Sequence, residues 1–179
     1  IWISSTRVYS ESGGGWVDEH SPLSLDEPQA AAMVVAEATI RRAATATIIR
    51  PAGVYGDPES MLMRRVRAGE GGPRGMLYGN RIHRDDLARL VVHCLRRDDL
   101  GEPVPPTLLG SDDDNMPTHE VEDWLAAQLK VTLARQSASG QARANRRCRS
   151  ALLKEIGFSL LYPTWREGYG AALAQHIRD

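Results

Sequence analysis

The chain opens IWISSTRVYS. Three apolar residues run into Ser4, Ser5 and Thr6, and Tyr9 follows shortly after. A hydroxyl at the carboxyl end of a buried strand can hydrogen-bond a carbonyl or an alcohol, because ligands of open α/β sheets bind outside those ends. It can also do no more than end the strand and hold a nearby backbone group. A second stretch of this kind is Arg50, Pro51, Ala52 and Gly53, which closes the apolar run TATIIR. A Pro-x-Gly turn lets backbone come close to a flat ligand. If the two runs are parallel strands, both segments border one crevice.

The elements between them fit that arrangement. Residues 1–5 read as a strand and residues 10–27 as a polar loop with a flexible turn at Gly13-Gly14-Gly15. The alanine-rich run from Pro28 to about Ala44 reads as a helix, with Asp26 as its cap and Pro28 in its first turn. Residues 45–50 form the next strand, which completes a right-handed βαβ unit. The loop RPAGVYGDP then leads to a helix over residues 59–69, capped by Asp57-Pro58. A short strand is expected at 76–78. In the next helix Leu87, Leu90, Val91, Cys94 and Leu95 make one apolar stripe. A strand over TLL follows the prolines of PVPPTLLG. Thr118 can cap the helix HEVEDWLAAQL, whose acidic first turns suit the helix dipole. Residues 130–147 read as the least ordered stretch. A helix at about 146–156, a strand over FSLLY and a last helix behind the capping box Thr164-x-x-Glu167 end the chain. The fold class expected is α/β, with parallel strands and helices on both faces.

Bulk composition narrows the function classes. The 179 residues, 42% hydrophobic, suffice for one domain with a core, or one domain and a small appendage. A formal net charge of −1 gives no global field to recruit nucleic acid or an anionic membrane. The basic stretch 135–149 contains no aromatic residue for stacking on bases; it reads as a solvated loop, or as a holder of a substrate phosphate or carboxylate. No apolar run approaches the roughly 18 residues of a membrane span. Cys94 and Cys148 are far apart, fit no metal spacing and read as free thiols of a reducing compartment. Asp112-Asp113-Asp114 reads as an acidic turn, so no metal site is expected. A cytoplasmic protein without nucleic-acid or membrane partners is the expectation. The first residue is Ile, already inside a strand, which suggests the later part of a longer protein.

Three stretches in order, ISSTRVYS, RPAGVYG and NRIHRDDLARLV, resemble the extended short-chain dehydrogenase/reductase family, in its NAD-dependent epimerase/dehydratase group. Members show S-S/T-x-x-V-Y-G, then L-R-x-x-x-V-Y-G, then I-H-V-x-D-L-A. PPTLLGSDDDNMPTHEVEDWLAAQL is similar to the family's Y-N-V-x-D-D-x-P strand and following helix. LKEIGFSLLYPTWREGY looks like the end of atypical members. The resemblance implies the later part of a Rossmann-like doubly wound parallel sheet with a small α/β substrate-binding subdomain. Residues 1–100 would be the C-terminal half of the NAD(P)-binding domain, with substrate-loop segments at 56–82, and residues 101–179 mostly the substrate side. The Gly-rich dinucleotide fingerprint is absent; Gly69-Glu70-Gly71-Gly72 is a turn without a suitable strand before it.

Residue by residue, the resemblance implies that Ser5 is the catalytic hydroxyl that bonds the reacting oxygen. Ser4, Pro51, Ala52 and Gly53 would lie beside the cofactor, NAD or NADP. Thr6, Arg81 and His83 would approach a small-molecule substrate, and Asp86 would begin its helix. Bland readings stand beside these: a backbone-bonded loop histidine for His83, a helix cap for Asp86, and packing for Tyr9 and Tyr55. The family's acid/base pair, Tyr-x-x-x-Lys, is missing. Its positions hold Gln29 and Met33, and Gln29 cannot transfer a proton as a phenol held near a lysine can. His83, Tyr9, Glu19 and His20 are candidate substitutes. Two functions therefore stay open. One is an atypical oxidoreductase or epimerase/dehydratase-like enzyme on a small polar substrate, with a sugar or nucleotide sugar as the family-level analogy. The other is a non-catalytic NAD(P)-binding sensor, or an inactive fragment of such an enzyme. A homodimer through the helix of residues 28–44 is compatible with its alanine-rich face.

Overall fold

Two strands, Trp2–Ile3 (β1) and Ile48–Pro51 (β3), lie parallel, and Thr107–Gly110 (β7) pairs parallel on the far side of β3. The computed structural model describes residues 1–137 and 145–176. Between these strands the chain forms β2 (Trp16–Val17), α1 (Pro28–Ala43), β4 (Gly53–Tyr55), α2 (Met61–Arg67), β5 (Glu70–Gly71), β6 (Arg81–His83) and α3 (Arg84–Asp99). After β7 come α4 (Thr118–Leu129), β8 (Ala134–Arg135), β9 (Arg147–Cys148), α5 (Ala151–Glu155) and α6 (Trp165–His176). The sheet order is β1-β3-β7, with parallel pairs β4-β6, β2-β9 and β5-β8 beside it.

Alternation along a strand puts neighbours on opposite faces. Leu108 therefore packs with Leu90, Cys94, Leu153, Ile156 and Phe158 under α3 and α5. Leu109 packs with Val8, Tyr9, Val17 and Cys148, against which Met33 and Val34 of α1 rest. A third core, around Met63, Val66, Val121, Leu125, Trp165 and Tyr169, joins α2, α4 and α6. Helices thus cover both faces of a parallel sheet, the expected α/β class. Among the described residues no helix is long and apolar enough to cross a membrane. The part of the expected loose stretch at 138–144 lies outside the described residues.

Several local expectations need correction. Glu27, not Asp26, caps α1: its carboxylate accepts from the Gln29 and Ala30 amides at 3.3 and 2.7 Å. Ser60 caps α2, while Asp57 closes a turn onto the Glu59 amide. Pro117 precedes α4 without a side-chain cap, and Thr118 is already helical. At 76–78 only Tyr78 makes a single antiparallel bridge, to Pro117. The strand forms later, at β6, against β4 in the stretch read as a loop. FSLLY is not a strand, because the Leu161 and Tyr162 amides bond the Asp86 carboxylate at 2.6 and 2.9 Å instead of a neighbouring strand. The helix expected at 146–156 shortens to α5, since Arg147 and Cys148 pair with β2. The Thr164–Glu167 box before α6 forms as read: the Thr164 amide donates to Glu167 at 2.9 Å and the Glu167 amide to Thr164 Oγ1 at 3.4 Å.

Candidate functional site

The carboxyl ends of β1 and β3 lie side by side, tied by the Ser4 amide donating to the Ile49 carbonyl at 2.8 Å. Ser4 itself is buried, and its Oγ has no hydrogen-bond partner. Ser5 caps the turn Thr6–Val8, and its Oγ accepts from the Arg7 amide at 3.1 Å. Beyond β3, the Ala52 amide donates to the Gly110 carbonyl at 2.8 Å and the Gly53 amide to the Asn80 carbonyl at 3.1 Å. Asn80 is the seam between that loop and the end of the chain. Its amide donates to the Arg146 carbonyl and its Oδ1 accepts from the Cys148 amide, both at 2.8 Å.

A cleft of about 450 Å³ opens here, lined by Ser5, Thr6, Arg7, Tyr78, Asn80 and Arg146 among others. Ser5 and Thr6 thus share one cavity, and Gly53 abuts it through Asn80. Arg81 and His83 lie elsewhere. The Arg81 guanidinium is buried and donates to the Gly79 carbonyl. The His83 ring is 2% exposed, set edge-on to Tyr55 and tilted against Tyr162 with centroids 4.0 Å apart. Its Nδ1 accepts from the Asp85 amide at 3.2 Å, which caps α3. Burial pushes its pKa down. A side chain at Gly56, whose φ is +109°, would collide with this ring, so the site beside His83 requires glycine. Asp86, fully buried, takes the Leu161 and Tyr162 amides and pairs with Arg89 at 2.7 Å. It fastens the segment before α6 rather than capping α3.

The positions of the missing acid/base pair are occupied as their chemistry dictates. Gln29 is exposed on the first turn of α1, and Met33 rests against the Val8–Tyr9 core. Of the other candidates, Tyr9 and Glu19 are engaged as well. Tyr9 is 1% exposed, and its hydroxyl accepts from Arg50 at 3.3 Å. Burial pushes its phenol up to about 12. The Glu19 carboxylate accepts from the Leu109 amide at 3.1 Å, and burial raises its pKa. His20 is exposed on its loop. Arg50 does not face the cleft; it forks onto Glu37 of α1 at 3.0 and 2.7 Å.

Three cleft residues escaped the sequence reading: Tyr78, Asn80 and Arg146. Tyr78 was hidden inside a presumed strand. Its ring carries the Arg147 guanidinium, 4.9 Å from the centroid, and the residue lines the cleft. Arg146 belonged to a basic run that looked solvated, yet it is 5% exposed. The one signal for it was the count of arginines in 135–149. Among the described residues no group of His, Cys, Asp and Glu could hold a metal ion.

No family model and no curated protein sequence matches the chain. Solved structures do. The chain superposes on a Methylobacillus flagellatus protein assigned to the NAD-dependent epimerase/dehydratases, at 28% identity and a TM-score of 0.80, over 99% of this chain and 63% of that one. It matches TunA, an NAD-dependent NDP-hexosamine 5,6-dehydratase of tunicamycin biosynthesis, at 22% and 0.76, over 99% of this chain and 62% of that one. It matches DesIV, the dTDP-glucose 4,6-dehydratase of Streptomyces venezuelae with NAD bound, at 19% and 0.74, over 99% of this chain and 59% of that one. Two further neighbours carry NADP or NADPH. The chain spans about three fifths of the length of the solved chains it matches. These neighbours belong to the extended short-chain dehydrogenase/reductases, so the resemblance carried by ISSTRVYS, RPAGVYG and NRIHRDDLARLV is borne out. The Rossmann-like α/β fold is shared with them.

Proposed function

We propose that this chain, which shares the fold of the extended short-chain dehydrogenase/reductases, forms the substrate side of an atypical nicotinamide-dependent oxidoreductase or epimerase/dehydratase-like enzyme. The observation that carries the reading is the cleft at the carboxyl ends of β1 and β3, with Ser5 on its wall and the unpartnered Ser4 hydroxyl behind it. An unpaired buried hydroxyl is costly unless a ligand completes it. Ser4, Pro51, Ala52 and Gly53 fit the nicotinamide end of NAD or NADP. The pyrophosphate needs a Gly-rich turn, which this sequence does not hold. We therefore propose that a dinucleotide-binding segment pairs with β1, an edge strand whose Trp2 and Ile3 are 38% and 45% exposed.

A bound nicotinamide supplies hydride transfer. This chain's part is to hold and protonate the substrate. Ser5 bonds the reacting oxygen, and the backbone at Pro51–Gly53 confines the ring beside it. Tyr78 lines the cleft, and we assign it the proton donation that Gln29 cannot perform. The substrate is a small polar molecule, with a sugar as the nearest analogy from the neighbours.

A sensor without turnover is the second reading. It is favoured by Met33, which fills the lysine position with packing rather than charge. Titration of NADH and NADPH, read by fluorescence, into the 179-residue chain and into a form joined to its dinucleotide-binding half separates the two when paired with turnover. The enzyme reading expects Ser5→Ala to lower kcat by about 10²–10³-fold with cofactor affinity kept. Binding without turnover on any sugar-like substrate leaves the sensor. No binding by the joined form refutes both.

A further inference from the structure

Arg146 is a cation in an unusual position. It is 5% exposed, and burial pushes its pKa down. Its Nε donates to the Glu11 carbonyl at 2.8 Å and its Nη1 to the Thr6 carbonyl. Among the described residues no carboxylate lies within 4.0 Å of it. The nearby acids are engaged: the Glu11 carboxylate takes the Gly13 and Gly15 amides at 2.5 and 3.1 Å, and Glu27 pairs with Arg7 at 3.3 Å. A guanidinium has five N–H donors, and carbonyls supply no countercharge. Nη2 has no partner among the described residues, yet it is not sealed from solvent. The residue lines the cleft beside Ser5, Thr6 and Arg7.

A desolvated charge without a counter-ion is expensive, and a planar guanidinium matches a two-oxygen anion better than it matches water. We infer that Arg146 is an oxyanion anchor: the molecule that enters this cleft carries a carboxylate or phosphate group, which docks on Nη2 beside the Ser5 hydroxyl. The inference rests on the cleft's being the substrate site. Its positive charge comes from residue 146, while the hydroxyl comes from residue 5. Arg7 is the reserve cation, held back by Glu27.

The probes are sodium acetate and inorganic phosphate, added at constant ionic strength to the folded 179-residue chain. Backbone amide NMR shifts at Ser5, Thr6, Arg7 and Asn80 are the readout. Saturable shifts with one dissociation constant are expected. Arg146→Gln should weaken binding about tenfold or more, and Arg146→Lys should restore part of it, because charge survives while the fork is lost. Glu27→Gln, which frees Arg7, should tighten binding. Phosphate preferred over acetate assigns a phosphorylated ligand, and equal affinities assign a carboxylate. Arg146 holds two carbonyls; if Arg146→Gln fails to fold, Arg146→Lys and Glu27→Gln decide, and unchanged affinity in both overturns the inference. So do shifts that only track ionic strength. Saturable anion binding in a joined form that fails to bind NADH or NADPH would instead overturn the functional reading and leave this site standing.

Discussion

Replacing Glu37 by leucine removes the countercharge of a guanidinium with almost no access to water. Arg50 and Glu37 are 4% and 3% exposed, and two parallel bonds of 3.0 and 2.7 Å join them. Without Glu37, Arg50 keeps the Tyr9 hydroxyl at 3.3 Å and the Glu19 carbonyl at 3.4 Å, both neutral and long. Breaking a buried pair at one partner costs about 3–5 kcal/mol. That is a large share of the roughly 5–15 kcal/mol that holds an ordinary domain together. For a chain of this size the cost lowers Tm by roughly 10 °C. Arg50→Met should cost a similar amount, since it leaves Glu37 buried. The double variant Glu37→Leu/Arg50→Met removes both charges and offers apolar volume in their place, so it should recover most of the loss. Urea unfolding of the four proteins, read by tryptophan fluorescence, gives the coupling energy directly. A double variant as unstable as the two single losses added together would refute the account, as would a Glu37→Leu loss under about 1 kcal/mol.

Asp86→Ala should free the segment before α6. Its carboxylate holds the Leu161 and Tyr162 amides, so hydrogen exchange at those two amides should accelerate well ahead of the rest, with a stability loss of about 3 kcal/mol. Uniform acceleration would count against the clamp. Asp112 is 2% exposed with an unpartnered Oδ2, and burial pushes its carboxyl from 3.8 up to about 8. The folded chain therefore keeps a proton that the unfolded chain releases. This contribution is complete below about pH 4 and fades as pH rises through about 8. Tm should fall between about pH 5 and about pH 9, and Asp112→Asn should flatten that slope. An unchanged slope rejects the assignment.

What could be read from the sequence depended on how local the determining forces were. The Ala-rich run behind Pro28 and the Thr164–Glu167 box declare their helices within a few residues, and both formed. Of the stripe Leu87, Leu90, Val91, Cys94 and Leu95, the first four form the buried face of α3, while Leu95 is 48% exposed. Short strands were different. β2, β5, β8 and β9 have two residues each, too few for a period, and their partners lie far along the chain. FSLLY alternates like a strand, but a carboxylate 75 residues earlier took its amides. The same limit governs the site. Ser5, picked out by its place at a strand end, lines the cleft and also caps the Arg7 amide. Arg146 looked solvated because its burial comes from Thr6 and Glu11, which no local pattern connects to it. The exchange of Tyr and Lys for Gln29 and Met33 was plain in the sequence; that Tyr78 borders the cleft was not.

The wall of the cleft is sewn from the two ends of the chain. Arg146 holds the Thr6 carbonyl, the Arg147 amide donates to the Gly15 carbonyl at 2.8 Å, and the Gly14 amide to the Asn145 carbonyl at 2.7 Å. Contacts of such sequence separation form late, because the loop between them must close first. On the ribosome Ser5 has no opposite wall until β9 is out. The wall opposite Ser5 waits for Arg146, which follows Thr6 by 140 residues. A truncation behind α4 would remove Arg146 from the cleft together with Cys148, Leu153, Ile156 and Phe158 from the cores on the two faces of the sheet. Order of synthesis thus delays the cleft: Ser5 is made before the arginine that stands opposite it.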